Sequence, residues 1–100
     1  MSKTLGYYAP PGCIWGPWIV LPGTAVFSTT GKPFKQTIQV SSVGDNLALC
    51  EVQYFAPGGK KSTVSFTDSI TITRDGGSAD EVKIRMKNTL PTGCAHNVTY

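Results

Sequence analysis

Charge is the scarcest feature of this chain. Asp, Glu, Lys and Arg make up 15% of its 100 residues, against about 25% in average globular proteins. Nine Lys and Arg against six Asp and Glu leave a net charge of +3. A dedicated nucleic-acid binder of this size is usually more basic and clusters its charge on one face. The composition therefore permits an anionic partner but argues against nucleic acid.

Long apolar runs are missing as well. No stretch approaches the roughly 18 apolar residues that a transmembrane helix needs. Gly, Pro and Tyr interrupt the residues after Met1, so no secretory signal is visible. We expect a soluble domain without a transmembrane segment, and the sequence fits both a cytoplasmic protein and the mature form of a secreted one.

The chain also lacks helical periodicity. No apolar stripe with a 3.6-residue period continues beyond about two turns. Gly and Pro, at 11 and 7 residues, are frequent, whereas Ala, Leu and Glu are scarce and Ser, Thr and Val are common. This composition favours short strands joined by tight turns, and the length predicts a single domain spanning residues 1–100.

Catalytic and metal-binding patterns are absent too. His96 is the only histidine, and none of the three cysteines forms the close pair typical of structural zinc sites. Cys94 and His96 share a strand face, but a nucleophilic site also needs an orienting carboxylate and an oxyanion hole. Residues 58–62 read Gly-Gly-Lys-Lys-Ser, in which a second Lys breaks the phosphate-loop pattern. We predict a non-enzymatic protein with no metal ion and no cofactor.

The clearest positive signal lies in residues 69–87. Apolar residues alternate with polar ones on both sides of an Asp-Gly-Gly-Ser turn: Ile70 and Ile72 precede it, and Val82, Ile84 and Met86 follow it. Alternation with a period of two around a Gly-rich turn predicts a β-hairpin with one buried face.

Further alternating runs predict seven or eight short strands. We expect strands near residues 25–27, 36–43, 47–55, 62–66 and 95–100, with 47–55 as a central strand because both of its faces are partly apolar. Asp68 falls where an inward-facing residue is expected, which predicts a bulge, a bend or a change of sheet. The pattern favours an all-β antiparallel β-sandwich, with a small β-barrel as the alternative.

Residues 1–24 form an unusual segment rich in Pro, Gly and aromatic residues. We expect it to act as an arm or edge segment, with a short strand only near residues 18–21, because proline interrupts strand ladders. Four aromatic residues are candidate binding residues, since Trp and Tyr on a rigid segment are typical interface anchors: Tyr7, Tyr8, Trp15 and Trp18. For Trp18, beside an aliphatic run, a position in the core is the favoured alternative.

A row of cations is the second candidate site. Lys83, Arg85 and Lys87 share one strand face, and Arg74, Lys60 and Lys61 are possible additions. The row fits an anionic partner, but it also fits a solvated or charge-protected strand, which we favour because no aromatic residue is interleaved with it.

Three cysteines cannot form a complete set of intrachain disulfides. Cys50 is expected to be a buried thiol because it lies on the apolar side of a strand. If the protein is oxidised, Cys13 and Cys94 are the favoured pair, although spacing does not exclude Cys50 with Cys94.

The sequence is compatible with two main classes of function. The first is a recognition module that binds a carbohydrate or a protein surface through aromatic-bearing loops. The second is a structural subunit that self-associates into an oligomer or larger assembly through the arm or an exposed strand edge. A small enzyme or a nucleic-acid binder ranks third.

Overall fold

The computed structural model describes residues 3–24, 33–42, 47–75 and 81–100. These residues form eight strands: β1 (Thr4–Ala9), β2 (Ile19–Val20), β3 (Phe34–Ser42), β4 (Ala48–Ala56), β5 (Lys60–Phe66), β6 (Ser69–Arg74), β7 (Lys83–Asn88) and β8 (Cys94–Thr99). No helix capable of crossing a membrane occurs in the described ranges.

The strands form two antiparallel four-stranded sheets. Sheet I has the order β1-β8-β3-β6, and sheet II has the order β2-β7-β4-β5. The apolar faces of the two sheets pack together, and neither sheet closes into a barrel, so the prediction of an all-β sandwich is confirmed. The strand expected at residues 25–27 lies outside the described residues.

The predicted hairpin is wrong. β6 pairs with β3 in sheet I, whereas β7 pairs with β2 and β4 in sheet II. The predicted inward residues are nevertheless correct, because Ile72, Val82, Ile84 and Met86 are buried and Ile70 packs against the core. Two strands that face each other across a core alternate in the same way as two paired strands. The Gly-rich turn itself falls largely outside the described residues.

The change of direction predicted at Asp68 is confirmed. β5 belongs to sheet II and β6 to sheet I, and Asp68, between them, has a φ of 61°. Asp tolerates this left-handed conformation better than most residues. The Asp68 carbonyl accepts a hydrogen bond of 2.7 Å from the Val40 N–H, so the bend is attached to β3.

β1 is a strand that the sequence analysis did not predict. It pairs with β8 from Thr4↔Thr99 to Ala9↔Cys94, and Pro10 and Pro11 follow directly after it. Proline therefore ends the strand rather than preventing it. The expectation for residues 18–21 is confirmed by β2, and the predicted central position of residues 47–55 is confirmed by β4, which lies between β7 and β5.

A polar network lies at one end of the core. Asn88 and His96 are both buried, and Asn88 Nδ2 lies 3.0 Å from the Ala9 carbonyl and 3.1 Å from that of Thr92. The Asn88 oxygen therefore faces His96 Nε2, at 2.7 Å, and Nε2 must carry the hydrogen. In the neutral ring Nδ1 is then an acceptor, and it accepts from the Ser42 hydroxyl at 2.9 Å.

Candidate binding surface on sheet II

The predicted arm of residues 1–24 divides between the two sheets, because its first part forms β1 of sheet I. The second part, from Gly12 to Thr24, is called the arm from this point on and lies along the edge of sheet II. The Gly16 N–H donates to the Met86 carbonyl at 2.9 Å, and the Leu21 N–H donates to the Val82 carbonyl at 2.8 Å. Between these bonds the arm forms β2, which pairs with the first residues of β7. The arm therefore extends sheet II and places its side chains beside those of β7.

Tyr7 attaches the arm to the sandwich. Its ring is buried in the core, only 3% exposed, and its hydroxyl donates a 2.7 Å hydrogen bond to the Pro17 carbonyl. Burial raises the pKa of Tyr7. The Cα of Gly16 lies so close to the Tyr7 hydroxyl that a side chain on Gly16 would collide with it. Tyr7, a predicted binding residue, offers no surface to a partner and has a structural role.

The two tryptophans contact the middle cation of β7. The Arg85 guanidinium carbon lies 4.5 Å from the centre of the Trp15 ring and 4.8 Å from that of Trp18, and Lys87 Nζ lies 5.0 Å from Trp15. Cations at such distances over an indole face are attracted by its quadrupole. The favoured core position for Trp18 is wrong, because Arg85 points away from the core while Ile84 and Met86 on either side are fully buried.

Glu51 completes the arrangement around Arg85. Arg85 Nε donates to Glu51 Oε1 at 2.7 Å, and Nη2 lies 2.5 Å from the same oxygen. These residues face each other across β4 and β7. Arg85 is thus neutralised and held in place, while Lys83 and Lys87 on either side keep the surface positive.

The basic row is therefore partly covered rather than fully solvated. Lys83, Arg85 and Lys87 are all half-buried. Arg74 does not join them, because it is buried on the inner side of sheet I, where it donates to Gln36 Oε1 at 2.9 Å and to the Thr24 carbonyl at 2.7 Å.

Exposed aliphatic residues continue this surface at one end of β7. Leu47 and Leu90 lie beside Thr89, whose N–H and hydroxyl both donate to the Leu47 carbonyl at 2.9 Å. Cys13 Sγ lies 3.8 Å from the Thr89 carbonyl, which brings Ile14 to the same end. Ile14, Leu47 and Leu90 are 58%, 59% and 47% exposed.

Of the six large hydrophobic side chains exposed in the described part of the chain, five belong to this region: Ile14, Trp18, Val20, Leu47 and Leu90. The sixth, Tyr8, is 64% exposed on the outer face of sheet I. We define the arm surface as Ile14, Trp15, Trp18, Val20, Leu47, Glu51, Lys83, Arg85, Lys87 and Leu90. It unites two features that the sequence analysis treated as separate sites.

Four residues of the arm surface carry no sequence signal for a site: Glu51, Ile14, Leu47 and Leu90. Only the pairing of β2 and β4 with β7 brings them together, and these contacts join residues more than 30 positions apart. Of the residues in this arrangement, Arg85 had a local signal, because it belongs to the alternating row of cations. Its contact with the tryptophans depends on the pairing of the arm with β7.

The cysteines differ in exposure and form no disulfide with one another in this structure. Cys13 is an exposed free thiol and Cys50 a buried one, as expected for Cys50. The Cys13–Cys94 bridge, which was favoured only for an oxidised protein, is not present in this structure. Cys94 Sγ lies 3.4 Å from the Ala95 carbonyl. Within the described ranges, no group of three His, Cys, Asp or Glu side chains is arranged to hold a metal ion.

Comparisons with protein-family models, curated proteins and solved structures find no match for this chain.

Proposed function

We propose that the protein is a non-enzymatic recognition module that binds a protein partner through the arm surface. The observation that carries this proposal is the placement of five exposed hydrophobic side chains along the arm and at the two ends of β7, with the Trp15–Arg85–Trp18 contact between them. Trp and Arg are enriched among the residues that dominate protein interfaces. Contiguous exposed apolar patches commonly mark interaction sites.

A protein partner fits this surface better than a sugar. Sugar rings stack on open aromatic faces, whereas Arg85 and Lys87 already lie over the rings of Trp15 and Trp18. Aliphatic residues such as Ile14 and Leu47 suit apolar side chains of a polypeptide. The tryptophans are also held in place before binding, because Arg85 is bonded to Glu51, so less side-chain entropy is lost on association.

The charge of the arm surface indicates the chemistry of the partner. Arg85 is balanced by Glu51, and Lys83 and Lys87 supply the remaining positive charge. An apolar segment flanked by Asp or Glu would complement both components.

Acidic-apolar peptides provide the test. We expect an array of synthetic peptides graded by charge and hydropathy to yield binders that combine aliphatic residues with Asp or Glu. Trp18→Ala should weaken the best peptide by roughly tenfold or more, as expected for an interface anchor. Lys83→Glu with Lys87→Glu should weaken it similarly, and added salt should reproduce part of that loss. Fluorescence anisotropy of the labelled peptide measures both effects.

Lys60→Glu with Lys61→Glu is the matched control. It makes the same change in net charge on β5, at the far edge of sheet II from the arm. If both double variants lose the same amount of peptide affinity, the loss is caused by the change in net charge. That result would contradict recognition by the arm surface. An array in which Trp18→Ala binds as the parent does would contradict it as well.

Self-association is the second candidate, favoured by one observation: the arm surface carries exposed aliphatic residues, lysines and Glu51 together, so a second copy is chemically complementary. Sedimentation velocity at increasing concentration separates the two functions. A dimer that dissociates in the Leu47→Asp variant would support self-association. A protein that stays monomeric at every concentration would contradict self-association and favour binding of a different protein. Deletion of residues 1–12 is unsuitable, because it removes β1 and the buried Tyr7.

A further inference from the structure

The outer face of sheet I is almost free of charge. The strand registers place thirteen residues on it: Thr4, Gly6, Tyr8, Lys35, Thr37, Gln39, Ser41, Ser69, Thr71, Thr73, Ala95, Asn97 and Thr99. Lys35 is the only charged residue among them. At the 15% frequency of charged residues in the whole chain, about two charges would be expected among thirteen residues.

The outer face of sheet II has the opposite character. Strands β4, β5 and β7 place ten residues there: Leu49, Glu51, Gln53, Phe55, Lys61, Thr63, Ser65, Lys83, Arg85 and Lys87. Five of the ten are charged, namely Glu51, Lys61 and the three cations of β7. The sandwich therefore separates its charge onto one side. The arm surface cannot account for the lack of charge on sheet I, because the outer faces of the two sheets lie on opposite sides of the core.

A groove crosses the neutral face. It consists of two adjoining depressions of about 310 and 230 Å³ that share Gln39 and Thr99 in their linings. Asp68 and Ser69 line the first depression beyond Gln39, and Tyr100 lines the second. The larger volume is at the lower end of the range for small-molecule sites.

The groove is lined mainly by neutral groups that both donate and accept hydrogen bonds, with one carboxylate beside them. Gln39 offers an amide, and Thr99 and Ser69 offer hydroxyls, while Asp68 adds a carboxylate that accepts from two hydroxyls at once. Sugar hydroxyls need both kinds of partner and carry no charge. We propose that this groove binds a neutral oligosaccharide, at a site separate from the arm surface.

The groove is preorganised by the fold. Gln39 lies in the middle of β3, paired with Ser69 of β6 on one side and with Thr99 of β8 on the other. The Asp68 backbone, which has a left-handed conformation, is held to β3 by the hydrogen bond from the Val40 N–H to its carbonyl. Polar groups on paired strands keep their spacing without a ligand, which lowers the entropic cost of binding.

A titration with defined sugars tests the site. The probes are maltohexaose, cellohexaose, mannohexaose and xylohexaose, with a heparin-derived hexasaccharide as the charged comparison. We expect at least one neutral hexaose to cause saturable changes in the ¹H–¹⁵N spectrum at Gln39, Ser69 and Thr99. The affinity should be unaffected by salt, because no ion pair forms.

Two substitutions locate the bound sugar. Gln39→Ala and Asp68→Asn should each weaken the neutral hexaose by roughly tenfold, the effect of losing one good hydrogen bond in a site. Asn keeps the left-handed backbone that Asp68 adopts. Thr73→Ala is the matched control, since it lies on the same face outside the groove, and it should leave the affinity unchanged.

Several results would overturn the proposal. They are the absence of saturable changes with all four neutral hexaoses, an equal loss in Thr73→Ala, or a stronger, salt-sensitive response to the heparin fragment. Trp18→Ala should not alter sugar binding. If Trp18→Ala does weaken sugar binding, the sugar binds at the arm surface and the proposal for the groove is wrong. Peptide binding by the arm surface is tested by its own experiment, so the two proposals can fail separately.

Discussion

His96 shows how a single buried side chain makes the stability of this sandwich depend on pH. Its ring is fully buried between Asn88 and Ser42, and burial lowers the pKa of His96 from its ordinary value of 6.5. The folded chain therefore keeps the ring neutral at a pH where the unfolded chain already binds a proton. Proton binding to the unfolded chain alone favours unfolding.

We expect the free energy of unfolding to fall as the pH is lowered through about 6.5, the ordinary pKa of histidine, and to level off below the folded-state pKa. Urea denaturation at a series of pH values measures it. His96→Gln is the control, and it should flatten the curve in this range while lowering stability at every pH. Parallel curves for parent and variant would show that another group is responsible.

Asn88 explains why this polar network can exist in a core. Its amide nitrogen donates to the carbonyl of Ala9, the last residue of β1, and to that of Thr92, between β7 and β8, and its oxygen accepts from His96. No buried side-chain nitrogen or oxygen in the described ranges lacks a partner. Full satisfaction removes the desolvation penalty that an unpaired buried group would impose.

Among the structural elements, the arm depends on the close approach of Gly16 to Tyr7. A methyl group at Gly16 would meet the Tyr7 hydroxyl, whose hydrogen bond to Pro17 holds the arm against the sandwich. We expect Gly16→Ala to lower the free energy of unfolding by about 1–3 kcal/mol, the usual cost of overpacking. Near-ultraviolet circular dichroism should also weaken as Trp15 and Trp18 leave Arg85.

Gly6→Ala is the matched control for this element. Gly6 faces outward on β1, and an added methyl group meets nothing within 4 Å. Its stability should change by no more than about 0.5 kcal/mol. If Gly16→Ala behaves like Gly6→Ala, the arm is held by its ladder to β7 and not by Tyr7.

The complete sandwich determines the reactivity of Cys50. Its side chain is fully buried on β4 between the sheets, and burial raises the pKa of Cys50 to about 12. The thiolate is the reactive form, so the folded protein protects this residue twice, by excluding the reagent and by keeping the thiol protonated.

Alkylation with iodoacetamide should therefore distinguish the thiols. We expect Cys13, which is exposed, to react in the folded protein, and Cys50 to react only when the sandwich opens. Mass spectrometry of timed samples in increasing urea should show labelling of Cys50 rising with the unfolded fraction. Rapid labelling of Cys50 in the absence of urea would contradict its burial at the centre of the core.

The phase of the strands was predictable from sequence because side-chain direction alternates along any strand. Ile72, Ile84 and Met86 were placed inward and Lys83, Arg85 and Lys87 outward from this rule alone, and the number and spacing of the alternating runs predicted the sandwich. The bend at Asp68 was predictable because a carboxylate interrupted an apolar phase.

The partner of each strand was not predictable in this way. A period of two gives the direction of a side chain but not the strand that lies beside it, so the pairing of β6 with β3 and of β7 with β4 had no local signal. Trp18 shows the consequence, since its aliphatic neighbours favoured the core, while the β2–β7 ladder places it against Arg85 outside sheet II.

The amino-acid pattern was thus sufficient for the all-β class, for the inward and outward sides of most strands, and for the change of sheet at Asp68. Long-range pairing was required to bring the tryptophans to Arg85, Glu51 to the same guanidinium, and Gln39 to Thr99 across the neutral face. The physical reason is that side-chain alternation is a property of each strand alone, whereas these contacts depend on the register between strands distant in sequence.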